Sequence, residues 1–221
     1  GTPPAPLVGG RGTRAGAEVA RDGGACLGGD NTFMLPALQT PIKLGADASF
    51  HSATKYIGGH SDVLAGVIAC KDKELGEQIK FLQLAVGAVC SPFDSYLLLR
   101  GIKTLELRMQ RHSASAALIA ERLAEHKAIG KVFYPGDKSH EGYKTHAKQA
   151  KSGGGMLSFT LKDLAAAKRC VGSTRLFQLA ESLGAVESLI QLPALMTHAS
   201  VPAEMRRKTG LEDGLIRVSV G

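Results

Sequence analysis

The chain has 221 residues, 44% hydrophobic and 21% charged, with a formal net charge of +7. That length is enough to bury a real core and suits one large domain or two small ones, and no apolar run approaches the ~18 residues that mark a membrane span, which excludes a helical membrane protein. The positive balance does not signal a nucleic-acid surface, because Lys and Arg are scattered and only seven Phe and four Tyr supply aromatic rings. It suits equally a protein whose ligands carry a phosphate and carboxylates.

In chain order, residues 1–16 show no apolar periodicity and are set apart as loop. Structure is expected from about Ala17, as the end of a helix over 17–21 closed by Gly23-Gly24, then a short strand leading to Asp30 in which Gly28-Gly29 is weak strand material. Residues 46–51 and 63–70 read as buried strands flanking a loop that carries Lys55, and 71–84 has helical spacing. Ser91-Pro92-Phe93-Asp94 is a helix start: a hydroxyl cap, Pro at the first position and an acid three residues after the cap. Gly101 interrupts that helix and is taken as a domain boundary. The helix resumes over 102–126 with Leu105, Met109, Ala116, Ile119 and Leu123 as its apolar stripe. Strands over 131–134 and 156–161, helices over 144–151 and 164–171, and strands near Ser188 and over 215–220 complete an α+β part with a mostly antiparallel sheet. The expected organisation is an unmatched segment 1–16, a domain over 17–100 and a second over 101–221.

The four cysteines, Cys26, Cys70, Cys90 and Cys170, have no C-x-x-C spacing and no companion histidine cluster, so neither a zinc site nor a disulfide framework is indicated. His51, His60 and His198 match no common ligand pattern, and no metal is expected. A reducing, cytoplasmic setting fits this cysteine usage, and residues 1–16 lack the charged and apolar regions of a secretion signal.

The residues that carry chemistry lie around His51-Ser52-Ala53-Thr54-Lys55-Tyr56. A lysine among small polar residues is usually a solvated amine. Here strand-like flanks imply burial, which lowers an amine's pKa and makes it a nucleophile; Ser52 and Thr54 supply hydroxyls suited to a phosphate, and Gly58-Gly59 allow close backbone approach. Asp30, 25 positions earlier, sits at a strand end. An isolated Asp before Asn would be read as a turn starter, but with Lys55 it completes the set a pyridoxal phosphate needs: an amine, hydroxyls, and an acid to keep the pyridine nitrogen protonated. Arg217 is a planar fork able to hold a carboxylate by two parallel hydrogen bonds. Ser182 and Glu181 read in isolation as a cap and a solvated charge.

Taken together, Asp30-Asn31-Thr32-Phe33, His51 to His60, Ser91 to Asp94, Leu179-Ala180-Glu181-Ser182-Leu183-Gly184, Met196-Thr197-His198-Ala199-Ser200 and Leu215 to Gly221 resemble the cystathionine-lyase and cystathionine-synthase family of Cys/Met-metabolism enzymes. The resemblance runs from about Glu18 to Gly221. It implies the α/β aspartate-aminotransferase-like fold (fold type I), with part of a large pyridoxal 5'-phosphate domain followed by an α+β C-terminal domain. It also implies roles: Lys55 the Schiff-base lysine, Asp30 the pyridinium partner, Ser52 and Thr54 phosphate ligands, Arg217 the grip on the substrate α-carboxylate, Ser182 beside it, and Glu181 near the distal end of the substrate. The implied activity is γ-elimination on cystathionine or a related sulfur amino acid; γ-synthase chemistry on an acyl-homoserine, β-elimination and an inactive fragment stand as alternatives. Family members are usually homotetramers built from tight dimers, and no nucleic acid or membrane partner is implied.

Against the family pattern, a long N-terminal half with a phosphate-cradling loop, a ring-stacking tyrosine and a Tyr/Arg pair lent by a neighbouring subunit is not found here, and Gly221 falls before a usual terminal helix. Leu84-Ala85 replaces an Asn-containing pair, Gly28-Gly29 replaces apolar strand residues, and Ala185 replaces a glycine. From these departures the chain is expected to be a fragment whose opening residues reflect a shifted frame or an arbitrary cut.

Overall fold

A computed structural model describes residues 12–221. Residues 1–11 of the segment set apart at the start lie outside the described residues, and helix α1 (Thr13–Asp22) begins four residues ahead of Ala17. It ends at Gly23 and Gly24, the latter at φ 65°. Strand β1 (Gly28–Asp30) follows, then the short helix α2 (Leu35–Leu38) and a 3-10 turn (Pro41–Leu44) leading into β2 (Ala48–Ser52). β2 runs parallel to β1 and antiparallel to β3 (Gly66–Cys70), giving a three-stranded sheet ordered β1-β2-β3. β1 forms despite its two glycines because Gly28 makes room for a ring: a Cβ there would lie 2.4 Å from Phe50 Cε2 on the adjacent strand.

The expectation that both flanking strands are buried holds for β2 and not for β3. Val67 and Ile68 are 42% and 45% exposed, and the described residues leave both faces of β3 open. Its apolar composition specifies a strand, but burial requires a covering layer that composition does not reveal. The helix after it, α3 (Lys73–Val86), is capped by Asp72, whose carboxylate accepts from Leu75 N at 2.9 Å, and it too has no buried residue.

Helix α4 (Pro92–Gly101) starts at the capping Ser91, whose hydroxyl accepts from Asp94 N at 3.0 Å and donates to the Asp94 carboxylate at 2.8 Å. After a single 3-10 turn (Ile102–Thr104), α5 (Leu105–Ala124) presents Leu105, Met109 and Ala116 inward. The remaining elements are β4 (Val132–Phe133), α6 (Tyr143–Ala147), β5 (Met156–Thr160), α7 (Leu164–Ser173), β6 (Gln178–Leu179), β7 (Leu189–Gln191), α8 (Ala203–Lys208) and β8 (Leu215–Ser219). The second sheet is ordered β4-β5-β8-β7-β6, antiparallel except between β6 and β7.

Alternation of side chains along β5, β7 and β8 divides this sheet into two unlike faces. Leu157, Phe159, Ile190, Ile216 and Val218 pack with Ala116, Ala120, Ala167 and Val171 of α5 and α7 in one apolar core. The opposite face carries Ser158, Gln191 and Arg217 side by side, in register. A second core joins the parts before and after Gly101, with Leu35, Ala53, Tyr56 and Ile57 against Leu105, Met109, Met156 and Leu183. The polar face of the second sheet is thereby brought against the turn that bears Lys55.

Candidate active site

β1 and β2 are registered so that Asp30 lies opposite Phe50. Neighbours across a ladder share a face and residues two apart repeat it, so Asp30, Phe50 and Ser52 project from the same side of the sheet. Thr32 ties the strand ends together: its N–H donates to Asp30 Oδ1 at 2.9 Å, and its hydroxyl accepts from Ser52 N at 2.8 Å. Asp30 is exposed, and no ion pair joins it to Lys55 among the described residues. The Ser52 hydroxyl has no hydrogen-bond partner among the described residues. Thr54 differs, because its hydroxyl donates to Ala65 O at 3.3 Å and accepts from Ala65 N at 3.0 Å.

Beyond Ser52 the chain folds into a tight turn, with Lys55 N, Gly58 N and Gly59 N donating to the carbonyls of Ser52, Ala53 and Lys55. Ala53, Tyr56 and Ile57 are buried and anchor it. Lys55 is half-buried, and its Nζ donates to Ser182 Oγ at 3.1 Å. Burial, and then the positive charge of Arg217, holds its amine below the ordinary lysine range.

The segment carrying Ser182 is fastened to this turn. Val186 N donates to Gly59 O at 3.0 Å, the Ser61 hydroxyl donates to the Glu187 carboxylate, and Gly184 N donates to Ser219 Oγ at 2.8 Å. Gly184 has φ 85°, and a Cβ on it would lie 2.8 Å from Tyr56 N, so glycine is required twice over. Ala185, where the family pattern has glycine, is accommodated as a buried residue.

Arg217, in the middle of β8, is 6% exposed. Burial pushes its guanidinium down to about 10, opposed by the Tyr56 phenol and the Glu181 carboxylate. Its Nη2 donates to Ser182 O across a long 3.4 Å. A buried cation with that little compensation is costly unless an anion completes it. The structure therefore brings Lys55, Ser182, Arg217 and Glu181 into one cluster, and places Asp30 and Ser52 together on the sheet that delivers Lys55. The cluster can hold a carboxylate near a deprotonatable amine.

Several members of this neighbourhood escape a reading of the sequence. Gln191, 2% exposed and in register with Arg217, has both amide atoms without a partner. Tyr56 is wholly buried, which pushes its phenol upward, and its ring lies 5.9 Å from that of His112. Arg108, another buried cation, reaches the Lys55 turn from α5. The signal for Arg108 and His112 is their spacing, because both fall on the face of α5 that carries Leu105, Met109 and Ala116. His60 Nδ1 donates to Gly58 O at 2.7 Å, and the pKa of His198 is lowered by burial and then by Arg217 and Arg206. No group of three His, Cys, Asp or Glu able to hold a metal gathers among the described residues, and no helix among them is long and apolar enough to cross a membrane.

A half-buried amine beside a buried arginine, on an α/β framework of mixed sheets, is an arrangement suited to enzymes that work through a carbonyl cofactor. The chain belongs to the Cys/Met metabolism PLP-dependent enzyme family, which it matches over residues 2–221. That match takes in nearly all of the opening segment set apart from the sequence. Among relatives, a cystathionine beta-lyase of Lactococcus lactis subsp. cremoris (strain MG1363) is 58% identical over 192 residues, covering 87% of this chain and 50% of the relative. A cystathionine gamma-lyase of Bacillus subtilis (strain 168) is 49% identical over 205 residues, covering 93% and 54%. The crystal structure of cystathionine gamma synthase from Xanthomonas oryzae pv. oryzae in complex with aminoacrylate and cysteine superposes with a TM-score of 0.95 at 47% identity, covering all of this chain and 57% of that one. The chain thus spans about half the length of the curated relatives it matches. The family's cofactor is pyridoxal phosphate.

Proposed function

We propose that this chain carries the lysine-bearing part of a pyridoxal phosphate-dependent carbon–sulfur lyase of the aspartate-aminotransferase-like fold, acting on cystathionine. The observation that carries the reading is the contact of Lys55 Nζ with Ser182 Oγ, with the buried Arg217 guanidinium on the same serine's carbonyl. The residues present fit the cofactor: Lys55 would hold its carbonyl carbon, Asp30 its ring nitrogen, and the unpartnered Ser52 hydroxyl its phosphate. Thr54 fixes the turn through Ala65 N and Ala65 O, and by turning its hydroxyl proton away from Ala65 O it would join Ser52 on the phosphate. When bound, the cofactor supplies a protonated ring that withdraws electrons from the substrate's Cα.

The rest follows from the chain's own groups. Arg217 takes the α-carboxylate as a fork, relieving its own unmet charge. Ser182 bridges that grip to the lysine, fixing where Cα stands relative to Nζ. With its pKa lowered, the Lys55 amine is deprotonated in a larger fraction of molecules, so it can take the Cα proton and return it to a neighbouring carbon. Glu181, exposed at the cluster's edge, faces the far end of a substrate held this way.

The γ-cleavage expected from the sequence consumes cystathionine and water and yields cysteine, 2-oxobutanoate and ammonia. The 58% identical relative named as a beta-lyase favours a second reading, cleavage at the β-carbon to give homocysteine, pyruvate and ammonia. Incubating the cofactor-loaded chain with cystathionine and identifying the oxo-acid decides between them: 2-oxobutanoate supports the first and pyruvate the second. Cystathionine formed from an acyl-homoserine and cysteine, with neither oxo-acid, would replace both with the synthase reaction.

A further inference from the structure

Arg108 on α5 is a charged residue with 8% exposure, and no carboxylate pairs with it among the described residues. All three kinds of donor on its guanidinium are directed at neutral oxygens: Nη1 at Tyr56 O (2.7 Å), Nη2 at Gly101 O (2.8 Å) and Nε at Thr104 Oγ1 (3.0 Å). The first acceptor is the carbonyl directly following Lys55. The second is the end of α4, and the third the 3-10 turn between α4 and α5. Two glycines make room for the arrangement. Gly59, at φ 70°, lies so close that a Cβ on it would stand 2.3 Å from Arg108 Nη1, and a Cβ on Gly101 would stand 2.3 Å from Gly58 O. A buried cation is costly in a merely structural position, where an apolar side chain of similar size serves as well or better. Only a planar, forked donor can reach all three oxygens at once.

We propose that Arg108 is a positioning residue for Lys55: it clamps the back of the turn over residues 56–59 to the α4–α5 junction, so that the amine on the front is held against Ser182. The proposal deepens the functional reading, since a position for Lys55 matters because of the role assigned to it. It acts through geometry and not charge. The cation facing Lys55 is Arg217 from β8, the segment before β7 supplies the Ser182 hydroxyl and the Glu181 carboxylate, and the turn itself supplies the Tyr56 phenol. None of these changes when Arg108 is replaced by another cation.

Arg108→Lys tests the clamp, because it keeps the positive charge and removes the fork. The probe is acetic anhydride, used on the full chain without cofactor between pH 7 and 11, with acetylation of Lys55 measured by peptide mass spectrometry against the exposed Lys127 and Lys144. In the parent chain Lys55 titrates below the ordinary lysine range. In Arg108→Lys its midpoint moves up toward that range, and hydrogen-exchange protection of the Gly58 and Gly59 amides falls about tenfold or more, as loss of a charged hydrogen bond implies, while β5 keeps its protection. Thr104→Val, which removes one acceptor and leaves two, gives a smaller change in the same direction and guards against a first variant that does not fold. If folded Arg108→Lys and Thr104→Val both retain the parent midpoint and the parent Gly59 protection, the clamp is overturned. Because the probe needs no cofactor, a Lys55 that fails to react with pyridoxal phosphate but still responds to Arg108 would end the functional reading and leave the clamp standing.

Discussion

Gly101→Ala isolates the contact between the end of α4 and the Lys55 turn. An alanine Cβ at this position would lie 2.3 Å from Gly58 O and 2.8 Å from Ile57 O, both backbone atoms, so no side-chain rotation relieves it. Ordinary contact requires the two segments to part by about 1 Å. Overpacking of that kind costs roughly 1–3 kcal/mol, and the parting also stretches the hydrogen bonds from Arg108 to Gly101 O and Tyr56 O, each a charged bond worth about 1.5–3 kcal/mol when lost outright. Against this stands a helix-propensity gain of about 1 kcal/mol for Gly to Ala. The net expectation is a loss of about 1–3 kcal/mol, which in a chain of this size lowers the melting midpoint by several degrees, at about 2–4 °C per kcal/mol. Differential scanning calorimetry reads the shift directly. A rise of 2–4 °C, the response of an ordinary exposed helix glycine, would refute the close backbone approach.

Three further outcomes are expected. Gly28→Val places its Cβ into the Phe50 ring, 2.4 Å from Cε2, and destabilises by about 1–3 kcal/mol, whereas adding Phe50→Val recovers most of the loss; additive losses in a double-mutant cycle would contradict the pairing. His51 and His112 both have pKa values lowered chiefly by burial, so the unfolded chain takes up protons first as pH falls. The stability they contribute is complete above about pH 6.5 and is lost as pH falls through the lower folded values; urea midpoints measured from pH 7.5 to 5 should fall, and His112→Leu should flatten that fall. Arg217→Lys keeps the charge and loses one prong of the grip on a carboxylate, a charged hydrogen bond worth about 1.5–3 kcal/mol, and so weakens cystathionine binding to the cofactor-loaded chain by about tenfold or more. Calorimetric titration that finds equal affinities removes the α-carboxylate from Arg217.

What could be read from the sequence divides by whether the signal is local. The Ser91 cap, the glycine end of α1, and the strands around Lys55 and Arg217 follow from neighbouring residues, and the structure has them within a few residues of the expected bounds. The sheet pairing of β7 and β8 is a long-range fact, and so the buried Gln191 beside Arg217 gave no sign of itself. On α5 the periodicity identified the apolar stripe but not Arg108, His112 and Ser113, which lie on the same buried face, and the contacts of Arg108 with Tyr56 O and of Ser113 with Ser152 come from distant parts of the chain. Residues 144–151 read as a helix because their composition allows one, while the structure closes α6 (Tyr143–Ala147) early, with Gln149 N and Ala150 N bonding back to His146 O in a final turn. At the site, Lys55, Asp30 and Arg217 were legible as residue types suited to one chemistry. The engagement of the Thr54 hydroxyl with Ala65 was not, since a hydroxyl's partner depends on the fold around it.

Lys55 is proposed as the amine that takes the cofactor, and borohydride trapping reads that assignment on the chain itself. The chain is mixed with pyridoxal phosphate at neutral pH, reduced, digested and mapped by mass spectrometry, with Lys55→Ala as the comparison. The expected result is a phosphopyridoxyl group concentrated on Lys55, with little on any other lysine, and loss of most labelling in the variant. Labelling spread evenly over exposed lysines, at the same total in Lys55→Ala, would contradict it.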